Sequence, residues 1–246
     1  MTLHFEQAWT AMVESPLFGI TLTLLAYVAA RWLWTRSRGH SLANPVLVSI
    51  VMVAGVLLVF GIPYDDYLSG ASYISFLLGP ATVALALPLH RQAAKIRQAA
   101  PTVVVCVLVG AVTAIVAAIA MTKLLGGSDS LALSMAPKSA TTPIAIAIAE
   151  SIGGVPALTA VFTILTGVIG AVAAPAVLTL LRIRDQRVRG LAIGMSSHGI
   201  GTSRALVDNP TAGAFSGLAM ALNALATAVL IPLILATMPW LLQIGG

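Results

Sequence analysis

Charge is scarce in this chain: 9% of its 246 residues are Asp, Glu, Lys or Arg, against about 25% in soluble domains. Aromatic residues make up 6% and cysteine occurs once, while 59% of residues are hydrophobic. That balance excludes an ordinary soluble domain, because so much apolar surface has no place to go except lipid. The lone Cys106 lies inside an apolar run, which excludes a disulfide framework and a thiolate metal centre. The first 15 residues carry Glu6 and Glu14 and no basic cluster, so no cleaved signal peptide is expected. There is no Gly-x-Ser-x-Gly elbow and no His-Glu-x-x-His pattern, and the expectation is a protein that is not an enzyme and holds no metal or cofactor. The net charge of +5 reports membrane orientation before it reports nucleic acid, and no nucleic-acid partner is expected.

What the chain does have is long apolar runs, at 17–34, 45–62, 73–89, 102–125, 155–181 and 212–238. Each is near the ~20 helical residues that cross a ~30 Å hydrocarbon layer. The expected fold is an all-α polytopic membrane protein with about six spanning helices.

Two stretches depart from that pattern. Residues 131–150 are broken by Pro137-Lys138-Ser139-Ala140-Thr141-Thr142-Pro143, and residues 191–208 by Ser196-Ser197-His198-Gly199-Ile200-Gly201-Thr202-Ser203-Arg204. Each apolar arm is ~12–15 Å of helix, enough to reach the bilayer centre but not to cross it. They are either re-entrant hairpins or broken helices that span. Charge placement favours hairpins. Arg31, Arg36, Arg38, Arg91, Lys95, Arg97, Arg182, Arg184, Arg187 and Arg189 then share one side. Glu6, Glu14, Asp65, Asp66, Asp129 and Glu150 take the other, with only Lys123 among them, as the positive-inside rule requires.

A shift of 57 positions superimposes the two breaks and places Pro175 on Pro232, Ser139 on Ser196 and Leu165 on Leu222. A hairpin plus one span contains an odd number of crossings, so the second copy is expected to be inverted, as in many secondary transporters. The expected organisation is a two-helix region at 1–70 and a core at 71–246, with inverted repeats at about 131–181 and 188–238.

Non-helical backbone at membrane depth is tolerated only where protein or an aqueous cavity satisfies it. Pro137, Pro143, Gly199 and Gly201 interrupt the helices, and the backbone amides this frees, together with the positive ends of half-helices, form a natural carboxylate or phosphate site. Lys138 and Arg204 lie in these breaks, where a cation costs ~2.5–3.5 kcal/mol. Either they recognise an anionic substrate together, or they form structural ion pairs with Glu150 and Asp208. His198 either couples proton movement to transport or is a neutral hydrogen-bonding group in the core; Glu150 is the second proton-coupling candidate. The hydroxyls of Ser139, Thr141, Thr142, Ser196, Ser197, Thr202 and Ser203 either bind substrate oxygens or cap half-helices, and Gly199 contributes backbone. Asn223, which the shift aligns with Thr166, either faces the same cavity or bridges helices. Asp65 and Asp66 read as a solvated turn, and Gly167-Val168-Ile169-Gly170 as close helix packing.

Three ordered motifs, Pro137 to Ala145, Ile152-Gly153-Gly154-Val155-Pro156-Ala157-Leu158-Thr159-Ala160, and Ser197 to Ala205, strongly resemble the LrgB/CidB family of bacterial membrane proteins. The similarity is close over about residues 70–238 and general over the first two spans. It implies one of two functions. One is modulation of murein hydrolase activity and cell lysis beside a small holin-like LrgA/CidA partner. The other is transport of small monocarboxylates such as pyruvate, glycolate or glycerate, as in the similar plastid glycolate/glycerate translocator. It also implies the bacterial inner (cytoplasmic) membrane, a separate LrgA/CidA-like subunit and a possible homo-oligomer. Family members often carry a second acidic residue after the Thr-Thr-Pro break, whereas here Ile146 to Ala149 precede a single Glu150, which weakens a two-carboxylate cation site.

Overall fold

A computed structural model describes residues 9–37, 43–77, 80, 83, 84 and 86–244. Glu6, Arg38 and part of the expected 73–89 span lie outside the described residues. The helices are α1 Pro16–Arg36, α2 Pro45–Phe60, α3 Tyr64–Phe76, α4 Ala86–Arg91, α5 Ala93–Leu124, α6 Asp129–Met135, α7 Thr142–Ile152, α8 Pro156–Leu180, α9 Gln186–Asp208 and α10 Pro210–Thr237. No strand occurs among the described residues. Four helices, α1, α5, α8 and α10, are long and apolar enough to cross a membrane, and α2 and α7 are shorter apolar helices. These helices make the chain a multi-pass membrane protein. In the 73–89 region the described chain holds the end of α3 and the start of α4.

Two compact units divide the chain, Met1–Ala84 and Leu85–Gly246. In the first, α1 starts at Ser15, whose hydroxyl accepts from Leu17 N, and α2 at Asn44, whose Oδ1 accepts from Val46 and Leu47 N. Proline opens both helices, where its missing N–H costs nothing. Gly19 of α1 lies against the Tyr67 carbonyl of α3, and Gly70 of α3 against the Pro16 carbonyl. Thr23 Oγ1 and the Tyr67 hydroxyl share a 2.9 Å hydrogen bond across that contact. Asp65 and Asp66 form the first turn of α3 rather than a loop, where carboxylates complement the positive helix end.

In the second unit α5 begins upstream of the expected residue 102 and runs through Pro101. The ring deletes one helical hydrogen bond, but the rest of the helix keeps its own. Val103 and Val107 of α5 pack near Phe215 and Leu222 of α10, and Ile115 and Ile119 near Ile231 and Ile234, so α5 and α10 run parallel. The C-terminal part of α8 packs near the start of α10 through Leu178 and Ala212, so α8 runs antiparallel to both. Lys95 Nζ lies 3.4 Å from Thr211 Oγ1, which puts the start of α5, the end of α8 and the start of α10 at one end of the unit. The Lys123–Asp129 ion pair, 2.7 Å, closes the α5–α6 turn at the other end.

Candidate functional site

Helix α9 is not straight. His198 has φ 37° and ψ −129°, a conformation that L-residues adopt only under strain. Before it, Gly190 touches Ala212 O and Gly194 touches Ser216 O, so residues 186–197 ascend with α10. After it, Gly199 faces Met220, Thr202 bonds Ser216 at 2.8 Å, and Leu206 packs on Gly213, so residues 199–208 descend against α10. Gly201 packs on Ser197 and Ile193 of the incoming arm. The second odd stretch is therefore a helical hairpin with arms of ~18 and ~15 Å and its reversal concentrated in one residue. The tip is fixed by His198 Nε2 on the Thr163 carbonyl of α8 at 2.9 Å, with Thr202 Oγ1 capping the His198 carbonyl at 2.7 Å. Glycine tolerates the His198 backbone and alanine does not. Both His198→Gly and His198→Ala lose the Thr163 bond, so His198→Gly is expected to be the more stable by about 1 kcal/mol in thermal melts.

The first stretch also turns back. Ser134 of α6 accepts the Val155 N–H at 2.7 Å, its carbonyl accepts from Thr159 Oγ1 at 3.0 Å, and Gly154 packs on its backbone. A straight continuation from residue 135 would carry residue 154 ~28 Å away. Between the arms lie residues 136–141, with Lys138 at the turn. Thr141 caps α7 without a side-chain hydrogen bond, so the first amides of α7 face the tip without a side-chain acceptor. Asn223 of α10, 1% exposed, donates Nδ2 to the Ser139 carbonyl at 2.8 Å.

Both tips meet one face of α10. Ser216, Met220, Asn223, Thr227 and Ile231 form its buried stripe. Thr202 and Gly199 meet this stripe from one end of the helix, and Ser139 and Ala140 meet it from the other. Met220 and Asn223 are ~4.5 Å apart along the axis, so the two breaks stop at nearly the same level, halfway along α10.

The expected site residues divide accordingly. Lys138 sits at the first tip, partly buried, and its ammonium has no ion pair or hydrogen bond among the described residues. Ser139 is buried beside Asn223, and Thr141 and Thr142 start α7 at the same tip. His198, Ser197 and Thr202 are buried at the second tip, Gly199 is exposed there, and Ser203 is exposed with its hydroxyl turned back to Ile200 O. Arg204 lies farther down the outgoing arm. Its Nη1 reaches Ala171 O at 3.5 Å, a carbonyl that Pro175 leaves without its helical N–H, and its Nε stands 3.5 Å from Asp208 without hydrogen-bond geometry. It is ~13 Å below the Asn223 level, so the two cations are not brought together. Glu150 is exposed near the end of α7, about three turns from the tip, and does not meet Lys138 or His198.

Sequence reasoning missed Thr163, whose carbonyl holds His198 and whose buried hydroxyl has no partner among the described residues. It also missed Gly190 and Gly194. Their Gly-x-x-x-Gly spacing was the available signal for close helix approach. Gly167 and Gly170 do face a neighbour, His198 and Ser197 of the hairpin.

At the open end of this hairpin, Asp185 caps α9. The Arg187 side chain, 2.6 Å away, and the Arg187 amide hold its carboxyl at about 2. A depressed carboxylate contributes stability that is present above its ordinary pKa near ~3.9 and is lost as pH falls through about 2. The wild type is therefore expected to lose melting temperature between pH 4 and pH 2 slightly more steeply than Asp185→Asn. The difference is small because both partners are exposed.

Residues 23–237 match the LrgB-like family. The chain is 37% identical over 217 residues to the uncharacterized protein YwbG of Bacillus subtilis (strain 168), covering 88% of this chain and 96% of that one. It is 32% identical over 223 residues to the antiholin-like protein LrgB of Bacillus mycoides (strain KBAB4), covering 91% and 97%. No solved structure matches. With the family pattern running through both hairpins and through α8 and α10, the chain belongs to the LrgB-like family.

Proposed function

We propose that the chain is the larger subunit of a carrier for small monocarboxylates of the pyruvate, glycolate or glycerate type. It works in the bacterial inner membrane with a small LrgA/CidA-like protein and without catalysis of its own. The observation that carries this reading is the meeting of two oppositely directed hairpin tips at one level of α10, with Lys138 uncompensated at that level. Free amides at the start of α7 and a lysine ammonium together suit a carboxylate. The half-helix after His198 points its positive end to the same region. In this reading the hairpins re-enter from opposite faces, α8 and α10 cross fully, and the two hairpin-plus-span units form an inverted repeat. Lys138, Ser139, Thr141 and Thr142 contact the anion. Asn223 and His198 hold the two tips, and His198 carries any coupled proton.

A second reading, modulation of murein hydrolases and lysis, is favoured by the antiholin-like name of the Bacillus mycoides relative. Proteoliposomes separate the two. Labelled pyruvate or glycolate is expected to enter saturably under a proton gradient and to be displaced by excess unlabelled carboxylate. Absence of uptake with and without the LrgA-like subunit rejects the carrier reading in favour of the regulator.

A further inference from the structure

A cavity of about 410 Å³ opens at the mouth of the α9 hairpin, at the far end of its arms from the tip. Thr179, Arg182, Arg184, Arg189, Asp208 and Asn209 are among its lining residues. Arg189 donates Nη1 to Ile183 O at 3.0 Å and Nη2 to Pro175 O at 3.3 Å, with Thr179 Oγ1 at 3.4 Å. Those acceptors are neutral, so they fix the guanidinium in place and leave its charge uncompensated. Arg182 and Arg184 are exposed and make no ion pair among the described residues. Asp208 is the one carboxylate in the lining, and it already faces Arg204. Asp185 is taken by Arg187.

We propose that this cavity binds a phosphate group, either as a free anion or as the headgroup of an acidic phospholipid. The two free guanidinium forks of Arg182 and Arg184, beside the fixed positive charge of Arg189, match the several oxygens of phosphate. The volume lies within the range of small-molecule sites. The cavity also stands at the end of the unit that carries Lys95 beside Thr211, where anionic headgroups of the positively flanked leaflet lie if this end faces the cytoplasm. The site is distinct from the hairpin tips and does not depend on the transport reading.

The test uses the purified full chain in detergent, with melting temperature as the readout. One titration uses potassium phosphate against potassium chloride at equal ionic strength. The other uses phosphatidylglycerol against phosphatidylcholine. Arg182→Asn with Arg184→Gln removes two forks without touching the bonds of Arg189, and asparagine tolerates the positive φ of 59° at position 182. A matched variant, Arg91→Gln with Arg97→Gln, removes two charges elsewhere. The expected result is saturable stabilisation that the cavity variant weakens at least about tenfold in apparent affinity, while the matched variant leaves it unchanged. Stabilisation by phosphate identifies a free anion, and stabilisation by phosphatidylglycerol alone identifies a lipid. If neither stabilises the wild type, or if both variants respond alike, there is no such site.

Discussion

Gly194→Val is expected to leave little folded protein, with a stability loss of at least about 3 kcal/mol. Overpacking by a few methylenes typically costs ~1–3 kcal/mol when neighbouring side chains can shift. Here the obstacle is the Ser216 carbonyl and its Cα, the backbone of α10 itself. A side chain at 194 can be accommodated only if the incoming arm of the hairpin lifts off α10, and that withdraws Gly190 from Ala212 as well. Fluorescence-detected size exclusion and thermal melts read the outcome. The control is Gly55→Ala in α2, where a Cβ meets nothing within 4 Å. It should be neutral or gain up to ~1 kcal/mol from helix propensity. Equal melting of Gly194→Val and wild type excludes the close α9–α10 contact.

The second large effect separates the two cations. Lys138→Ala is expected to cut saturable carboxylate uptake by ~10–100-fold, the equivalent of the ~1.5–3 kcal/mol of a charge-assisted contact. Its melting temperature should hold or rise, because a cation without a protein partner at that depth costs ~2.5–3.5 kcal/mol on insertion scales. Arg204→Gln should behave in the opposite way. It releases Ala171 O and Asp208, lowering the melting temperature while leaving the substrate constant within about threefold. Uptake by Lys138→Ala at the wild-type rate, at matched expression, removes Lys138 from the binding site.

Most of the hairpin geometry was legible because prolines, glycines and hydroxyls interrupt apolar runs only where backbone groups find other partners. The shortness of the arms and the placement of charge pointed to chain reversal within both 131–150 and 191–208, and the reversals fall at 136–141 and at 198. The position of the second reversal was less legible. Gly199 and Gly201 read as the breakers, yet the reversal falls on His198, whose ring bond to Thr163 O holds a backbone that glycine would have adopted freely. Gly201 serves instead as the floor on which the two arms touch. Pairing Lys138 with Arg204 failed as geometry because position in a motif does not record which way a folded-back arm runs. Six residues past the tip, Arg204 has already descended two turns and serves the carbonyl that Pro175 strands. The helix bounds around 64–91 were least legible, since the start of α3 carries two aspartates in an otherwise apolar region.

The Asn223 bond to Ser139 spans 84 positions, and that separation sets a timetable for synthesis. At roughly 5–20 residues per second, a ribosome takes about 4–17 s to deliver the asparagine after the serine has emerged. Throughout that interval the first hairpin, with Lys138 at its tip, has no α10 to hold it and must wait in the insertion machinery or at the membrane surface. Chains that terminate before residue 223 should therefore be recognised as unfinished and degraded, even though every residue of the first hairpin is present.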